Sequence, residues 1–186
     1  MADYRIALAG NPNAGKSTIF NALTGGRQYV GNWPGKTIEL KEGQFSVADT
    51  TIHVIDLPGT YSLTAFSAEE KITRDYLVHD CPDAVVAVAD AGNLERNLYL
   101  VAQLIELGVP LLVVLNMTDM AEARGLCIDH AYLAEKLGVP VLSTVATQGR
   151  GLDILKTNIL DLIQGRAPLN HAAPRHEMIT CAKCRS

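Results

Sequence analysis

Residues 10–17 read Gly-Asn-Pro-Asn-Ala-Gly-Lys-Ser, directly after an apolar run at 5–9 and at the head of a segment with helical periodicity at 16–24. A glycine-bounded loop that joins a strand to a helix and closes on Gly-Lys-Ser leaves few folds open. Its successive backbone N–H groups and the helix N-terminus converge on one point and favour an anion there. Lys16 would reach the β- and γ-phosphates of a nucleotide, and the Ser17 hydroxyl would bind magnesium. Gly10, Asn11, Pro12, Asn13, Ala14, Gly15 and Thr18 complete this cradle. Such a strand is buried and its helix covers a sheet face, so the motif calls for a mainly parallel α/β sheet.

The rest of the chain supplies one. Short apolar runs at 5–9, 38–47, 51–56, 84–90, 111–116 and 139–144 read as strands. Helical spacing marks 16–24, 68–79, 94–107, 129–137 and 152–164 between them. Two helices end in the same Leu-Gly-Val-Pro, at 107–110 and 137–140, where Gly closes the helix and Pro prevents its continuation. Only Ala48, Asp49 and Thr50 separate the second and third runs, too few for a crossover, so that pair is an antiparallel hairpin. The expected fold is a six-stranded, mostly parallel sheet with one antiparallel strand and helices on both faces. Residues 1–165 form this domain, and 166–186 read as an irregular tail, the start of a spacer or its truncated remnant.

Three further boxes fall at the ends of strands. Asp56-Leu57-Pro58-Gly59 ends the third run: its Asp can hold magnesium, and Gly59 leaves an N–H free to approach a γ-phosphate. Asn116-Met117-Thr118-Asp119 follows the buried run at 111–115. There Asp119 can accept two hydrogen bonds from the N1–H and exocyclic amino group of guanine, a donor pair that adenine lacks. Asn116 would tie this loop to the cradle, and Val145-Ala146-Thr147 would offer a backbone N–H to the guanine carbonyl. Between cradle and Asp56, residues 28–39 carry Gly31, Pro34 and Gly35, which keep the segment irregular. Gly35, Lys36 and Thr37 would face the nucleotide, the Thr37 hydroxyl completing the magnesium shell. A loop of this kind is ordered by a γ-phosphate and released after hydrolysis.

Together these boxes resemble the translation-factor and Ras-like class of P-loop GTPases over residues 4–165. Met117 stands where that class has Lys, which is expected to cost affinity without changing the base chosen. Thr60 stands where Ras-like enzymes position water with Gln, so intrinsic hydrolysis is expected to be slow. The segment Val-Gly-Asn-Trp-Pro-Gly-Lys-Thr-Ile-Glu at 30–39, with Asp-Leu-Pro-Gly-Thr-Tyr-Ser-Leu at 56–63 and Asn-Leu-Glu-Arg-Asn-Leu-Tyr-Leu at 93–100, is similar to the N-terminal GTPase domain of the ferrous iron transport protein B family. The resemblance implies a magnesium-dependent GTPase switch that regulates ferrous iron transport. It also implies a membrane-spanning iron-permease domain, on the same polypeptide or a partner, and a place on the cytoplasmic face of the inner membrane. From potassium-dependent relatives it implies that Asn13, with carbonyls of the Gly31–Trp33 loop, holds a potassium ion that stimulates hydrolysis. Lys16, Asn13, Thr37 and Gly59 are thus the candidates for catalysis. The alternative is a ribosome-assembly or other regulatory small GTPase without a transport role.

Composition bears on that choice. A net charge of −4 offers no basic surface for RNA, so no nucleic acid is expected as a partner. No run approaches the ~20 apolar residues of a membrane span, and the chain opens without the basic start and apolar middle of a signal peptide. An oligomer is compatible with these features. Cys81 and Cys127 are isolated, whereas Cys181 and Cys184 make one Cys-x-x-Cys near His171 and His176. One such pair gives zinc half its usual ligands, so the tail reads as irregular sooner than as a metal site.

Overall fold

A computed structural model of the chain describes residues 2–26, 28–32 and 39–166. Seven strands form one sheet: β1 (Ala2–Gly10), β2 (Gln28–Asn32), β3 (Glu39–Val47), β4 (Thr50–Asp56), β5 (Ala84–Asp90), β6 (Leu111–Asn116) and β7 (Val141–Ser143). Their order across the sheet is β2-β3-β4-β1-β5-β6-β7. β1 runs parallel to β4 and β5, β5 to β6, and β6 to β7. β3 lies antiparallel to both β2 and β4, which makes it the one strand of opposite sense among the described residues. All six expected strands form, and the short hairpin between β3 and β4 is as the sequence requires.

Strand alternation divides the core into two layers. Ile6 and Leu8 of β1, with Val54, Val86, Leu112 and Val114, meet Ile19, Phe20 and Leu23 of α1 (Lys16–Thr24) and Leu155 and Ile159 of α6 (Leu152–Ile163). Ala7 and Ala9 point the other way, with Ile55, Val85, Ala87, Val113 and Leu115. They meet Tyr76 and Leu77 of α2 (Ala68–His79) and Leu100, Val101 and Leu104 of α3 (Leu94–Glu106). Each fully buried aliphatic side chain contributes about 1.5–3 kcal/mol. The two-faced burial explains why these strands read as near-continuous apolar runs.

Three local results differ from the expected boundaries. Residues 28–32 pair with β3, extending the edge with a seventh strand where the sequence suggested an irregular loop. The open edge of β3 offers backbone partners, and the β-formers Tyr29 and Val30 take them despite Gly31. β7 is shorter than the run at 139–144, because Pro140 lacks an N–H, although its carbonyl still accepts from Val113 N at 2.9 Å. A short helix, α4 (Thr118–Ala123), follows β6 before α5 (His130–Leu137).

Between α5 and β7, the Ser143 hydroxyl and His130 Nε2 lie 2.5 Å apart. Burial pushes the His130 imidazole below its ordinary pKa, against the opposing pull of Asp129 and Glu122. The folded state therefore favours neutral His130, and its contribution is complete above the unfolded value of 6.5. That contribution is lost as pH falls from there through the lowered folded value. The melting temperature should accordingly drop more steeply from pH 7 to pH 5 in the parent than in His130→Gln. Parallel melting curves would show that this imidazole carries no such linkage.

Candidate functional site

The parallel strands end on one edge of the sheet, where Leu8 is level with Asp56, Gly10 with Val88, and Asp90 with Asn116. Loops that leave the carboxyl ends of such strands build the crevice of an open α/β sheet. At Gly10 a Cβ would lie 2.5 Å from the Val88 carbonyl, so the strand leaves the sheet as glycine. Gly15 has φ 84°, and a Cβ there would fall 2.1 Å from Asn116 Nδ2. Its backbone conformation and its neighbour both require glycine. Asn13 is exposed at φ 67°, in the left-handed region that Asn tolerates. Ala14 is buried, its N–H donating to the Asn11 carbonyl at 3.2 Å.

Lys16 and Asp56, both largely buried, form an ion pair. Ser17 is exposed on the first turn of α1, with Thr18 half-buried behind it. The Ser17 hydroxyl and the Asp56 carboxylate are hard oxygen donors of the kind magnesium takes. Among the described residues, no group of three or more His, Cys, Asp or Glu side chains could hold a metal.

The segment after β4 is fastened to the cradle. Leu57 N donates to the Leu8 carbonyl and Thr60 N to the Gly10 carbonyl, each at 3.1 Å. Gly59 packs so close that an added Cβ would lie 3.2 Å from Pro12 Cα, with Pro58 half-buried beside it. Thr60 is 3% exposed and its hydroxyl donates inward to the Ser62 carbonyl at 2.7 Å. Its side chain is therefore not available to position water.

Three residues not among the candidates above, Glu70, Ser67 and Arg96, organise this segment. Glu70 accepts from Ser62 Oγ at 2.7 Å and from Thr64 Oγ1 and Phe66 N at 3.0 Å. These bonds, that from Ser62 foremost, hold its carboxyl below the usual range. Ser67 caps the same helix by accepting from Glu70 N at 3.1 Å. The Ser-x-x-Glu spacing at 67–70 is a visible capping-box signal. Arg96 lies 3.9 Å over the Tyr61 ring, and its carbonyl accepts from Asn11 Nδ2 at 3.3 Å. Asn11 Oδ1 is buried without a partner among the described residues.

The third cluster centres on Asn116, which is 3% exposed. Its Nδ2 donates to the Ala14 carbonyl at 3.1 Å, and its Oδ1 accepts from Thr144 Oγ1 at 3.2 Å and Ala146 N at 3.1 Å. One side chain thus joins the cradle, β6 and the loop after β7. Met117 takes φ 60°, and its Cε would lie 3.2 Å from a Cβ on Gly15, so its side chain reaches the cradle. Asp119, in the first turn of α4, accepts from Met120 N at 2.9 Å and from Gln148 Nε2 at 3.1 Å. Of the three amides at 145–147, Val145 N is spent on the Arg150 carbonyl and Ala146 N on Asn116. Exposed Thr147 carries the one with no bond inside the described residues.

Gly31 lies in β2 opposite Leu40. Trp33, Gly35, Lys36 and Thr37, and the tail with Cys181 and Cys184, lie outside the described residues. Among those described, no helix is long and apolar enough to cross a membrane.

The family model described as "Ferrous iron transport protein B" matches residues 4–159. The Fe(2+) transporter FeoB of Escherichia coli (strain K12) is 51% identical over 163 residues, covering 86% of this chain and 21% of that protein. The chain thus spans about a fifth of the length of the curated relatives it matches. The FeoB G-domain from Methanococcus jannaschii is 47% identical with a TM-score of 0.80, over 88% of this chain and 99% of that one. The cytosolic domain of the T. maritima FeoB iron transporter in its GMPPNP form is 46% identical with a TM-score of 0.83, over 88% of this chain and 64% of that one.

Proposed function

The chain belongs to the ferrous iron transport protein B family, and from that membership we propose that it binds GTP, hydrolyses it slowly, and uses the cycle to govern ferrous iron passage through a membrane-spanning part outside this sequence. The observation that carries the reading is Asn116, at the end of β6, whose three buried hydrogen bonds join the loop at 10–17 to the loop at 144–147. The T. maritima relative in its GMPPNP form supports a nucleoside triphosphate there.

In this reading the backbone of 10–17 and the N-terminus of α1 receive the phosphates, and Lys16 leaves Asp56 to neutralise the β- and γ-oxygens. Ser17, Asp56 and Thr37 would hold magnesium, which would supply further charge to those oxygens. Asp119 selects guanine, and the Thr147 N–H meets the guanine carbonyl. Gly59 brings its N–H to the γ-phosphate while the hydrogen bond of Thr60 to Gly10 holds that turn in register. Asn13, exposed beside the phosphates, would hold potassium with carbonyls of Gly31 and Trp33, placing positive charge where an arginine finger acts in other GTPases. With Thr60 turned inward, unassisted turnover falls near the ~10⁻⁴ to 10⁻² s⁻¹ of switch GTPases. Residues 28–39 and 56–64 are the segments that change with the γ-phosphate and pass its state to the membrane part. The working place is the cytoplasmic face of the inner membrane, where the switch acts singly or within an oligomer.

Phosphate release tests this directly. GTP should be turned over in preference to ATP, the rate should vanish when magnesium is chelated, and potassium should raise it several-fold over sodium. Equal turnover of ATP would end the guanine assignment. Equal rates in potassium and sodium would remove the role given to Asn13.

A further inference from the structure

We propose that Gln148 is a specificity-determining residue of the base site, an internal competitor that guanine has to displace from Asp119. The proposal rests on reading Asp119 as the guanine selector. Gln148 closes the 3₁₀ turn Ala146–Gln148 in the loop after β7, and its Nε2 donates to Asp119 Oδ2 at 3.1 Å. The base of that loop is fixed: Ala146 N donates to Asn116 Oδ1 at 3.1 Å, and Val145 bridges Arg150. The exposed tip that carries Gln148 therefore stands at a set distance from Asp119.

A guanine that uses both Asp119 and the Thr147 N–H lies between α4 and this loop. The Gln148–Asp119 hydrogen bond spans the same two elements. Its donor is a primary amide N–H, the chemistry that guanine's amino group presents to the same carboxylate. The other oxygen, Oδ1, accepts from Met120 N at 2.9 Å, so both carboxylate oxygens carry protein bonds. Each oxygen can accept twice, so the contest is for position: guanine brings two donors side by side, and its amino group reaches Oδ2 from the side of the loop after β7, where the Gln148 amide already stands. Hypoxanthine brings only its N1–H, which Oδ1 can accept while Gln148 stays in place. Gln148 thus lowers affinity for guanine and narrows its advantage over hypoxanthine.

Titration of the full chain with GDP and IDP tests this. Gln148→Met keeps the side-chain volume and removes the donor, and Gln148→Ala removes both. Because the bond is solvent-exposed and one partner is charged, both variants should bind GDP roughly threefold to tenfold more tightly. IDP affinity should stay within about twofold of the parent, since a single-donor base leaves the bond intact. Unchanged or weaker GDP binding, an equal gain for IDP, or a gain only in Gln148→Ala would overturn the proposal. Weaker binding would instead make Gln148 a buttress that orients Asp119. Asp119→Asn run in parallel with XDP separates the two readings. If that variant fails to move preference toward XDP, the selector reading itself is lost. If it does and Gln148→Met gains nothing, only the competitor role falls.

Discussion

Asp119→Asn is expected to reverse the base preference of the site, weakening GTP on the order of a hundredfold or more and strengthening XTP by a comparable factor. Guanine presents two donors, and the Asp119 carboxylate can accept both. An amide in its place keeps one acceptor and turns an NH2 toward a donor, leaving unmatched polar groups in a desolvated contact. Xanthine carries a carbonyl where guanine carries its amino group, and that carbonyl accepts what Asn offers. The fold should tolerate the change, because Asp119 lies at the partly exposed first turn of α4 and an Asn can still accept from Met120 N. The loss of a negative charge at a helix start costs only about 0.3–1 kcal/mol. Paired titrations with fluorescent GDP and XDP read the exchange, and unaltered GDP affinity in a folded variant would strip Asp119 of its assigned role.

Why so much of the site is visible in the primary structure follows from how its residues are constrained. Gly10 and Gly15 cannot carry a Cβ against Val88 and Asn116, so the glycine spacing records the contacts of the folded loop. Asn116 and Asp119 follow an uninterrupted apolar run, because β6 is buried on both faces and its chain emerges only at the carboxyl edge. The features that escape notice depend on partners distant in sequence. Residues 28–32 carry a glycine and turn-forming neighbours, and they become strand only because β3 leaves an edge to pair with. α4 has six residues, too short for helical periodicity to register. The role of Asn11 depends on the Arg96 carbonyl, 85 residues away, and no local pattern announces that bond. Glu70 is different in kind: its capping box is legible, but no local pattern tells that it gathers the hydroxyls of Ser62 and Thr64.

Asn116→Ala should damage both the stability of the domain and its nucleotide binding. Truncation leaves the Ala14 carbonyl, Thr144 Oγ1 and Ala146 N facing one another without their shared partner, all within buried surroundings. Each buried group left unmatched costs about 1–3 kcal/mol, and some of that returns if water enters the gap. A net loss of about 3 kcal/mol is a large part of the ~5–15 kcal/mol that holds a typical domain. A stability loss alone would not identify Asn116 as functional, so the comparison that matters is with Leu112→Ala on the same strand. Leu112 is fully buried in the layer against α1 and α6, and its truncation costs a similar ~2–5 kcal/mol. It holds no loop in place. At a temperature where both variants remain folded, Leu112→Ala should bind GDP within a few-fold of the parent, whereas Asn116→Ala should lose about a hundredfold or more. Removing the side chain uncouples the phosphate cradle from the base loop, so a nucleotide that satisfies one no longer finds the other in register. Equal GDP affinity in the two variants would mean that Asn116 contributes packing and stability alone.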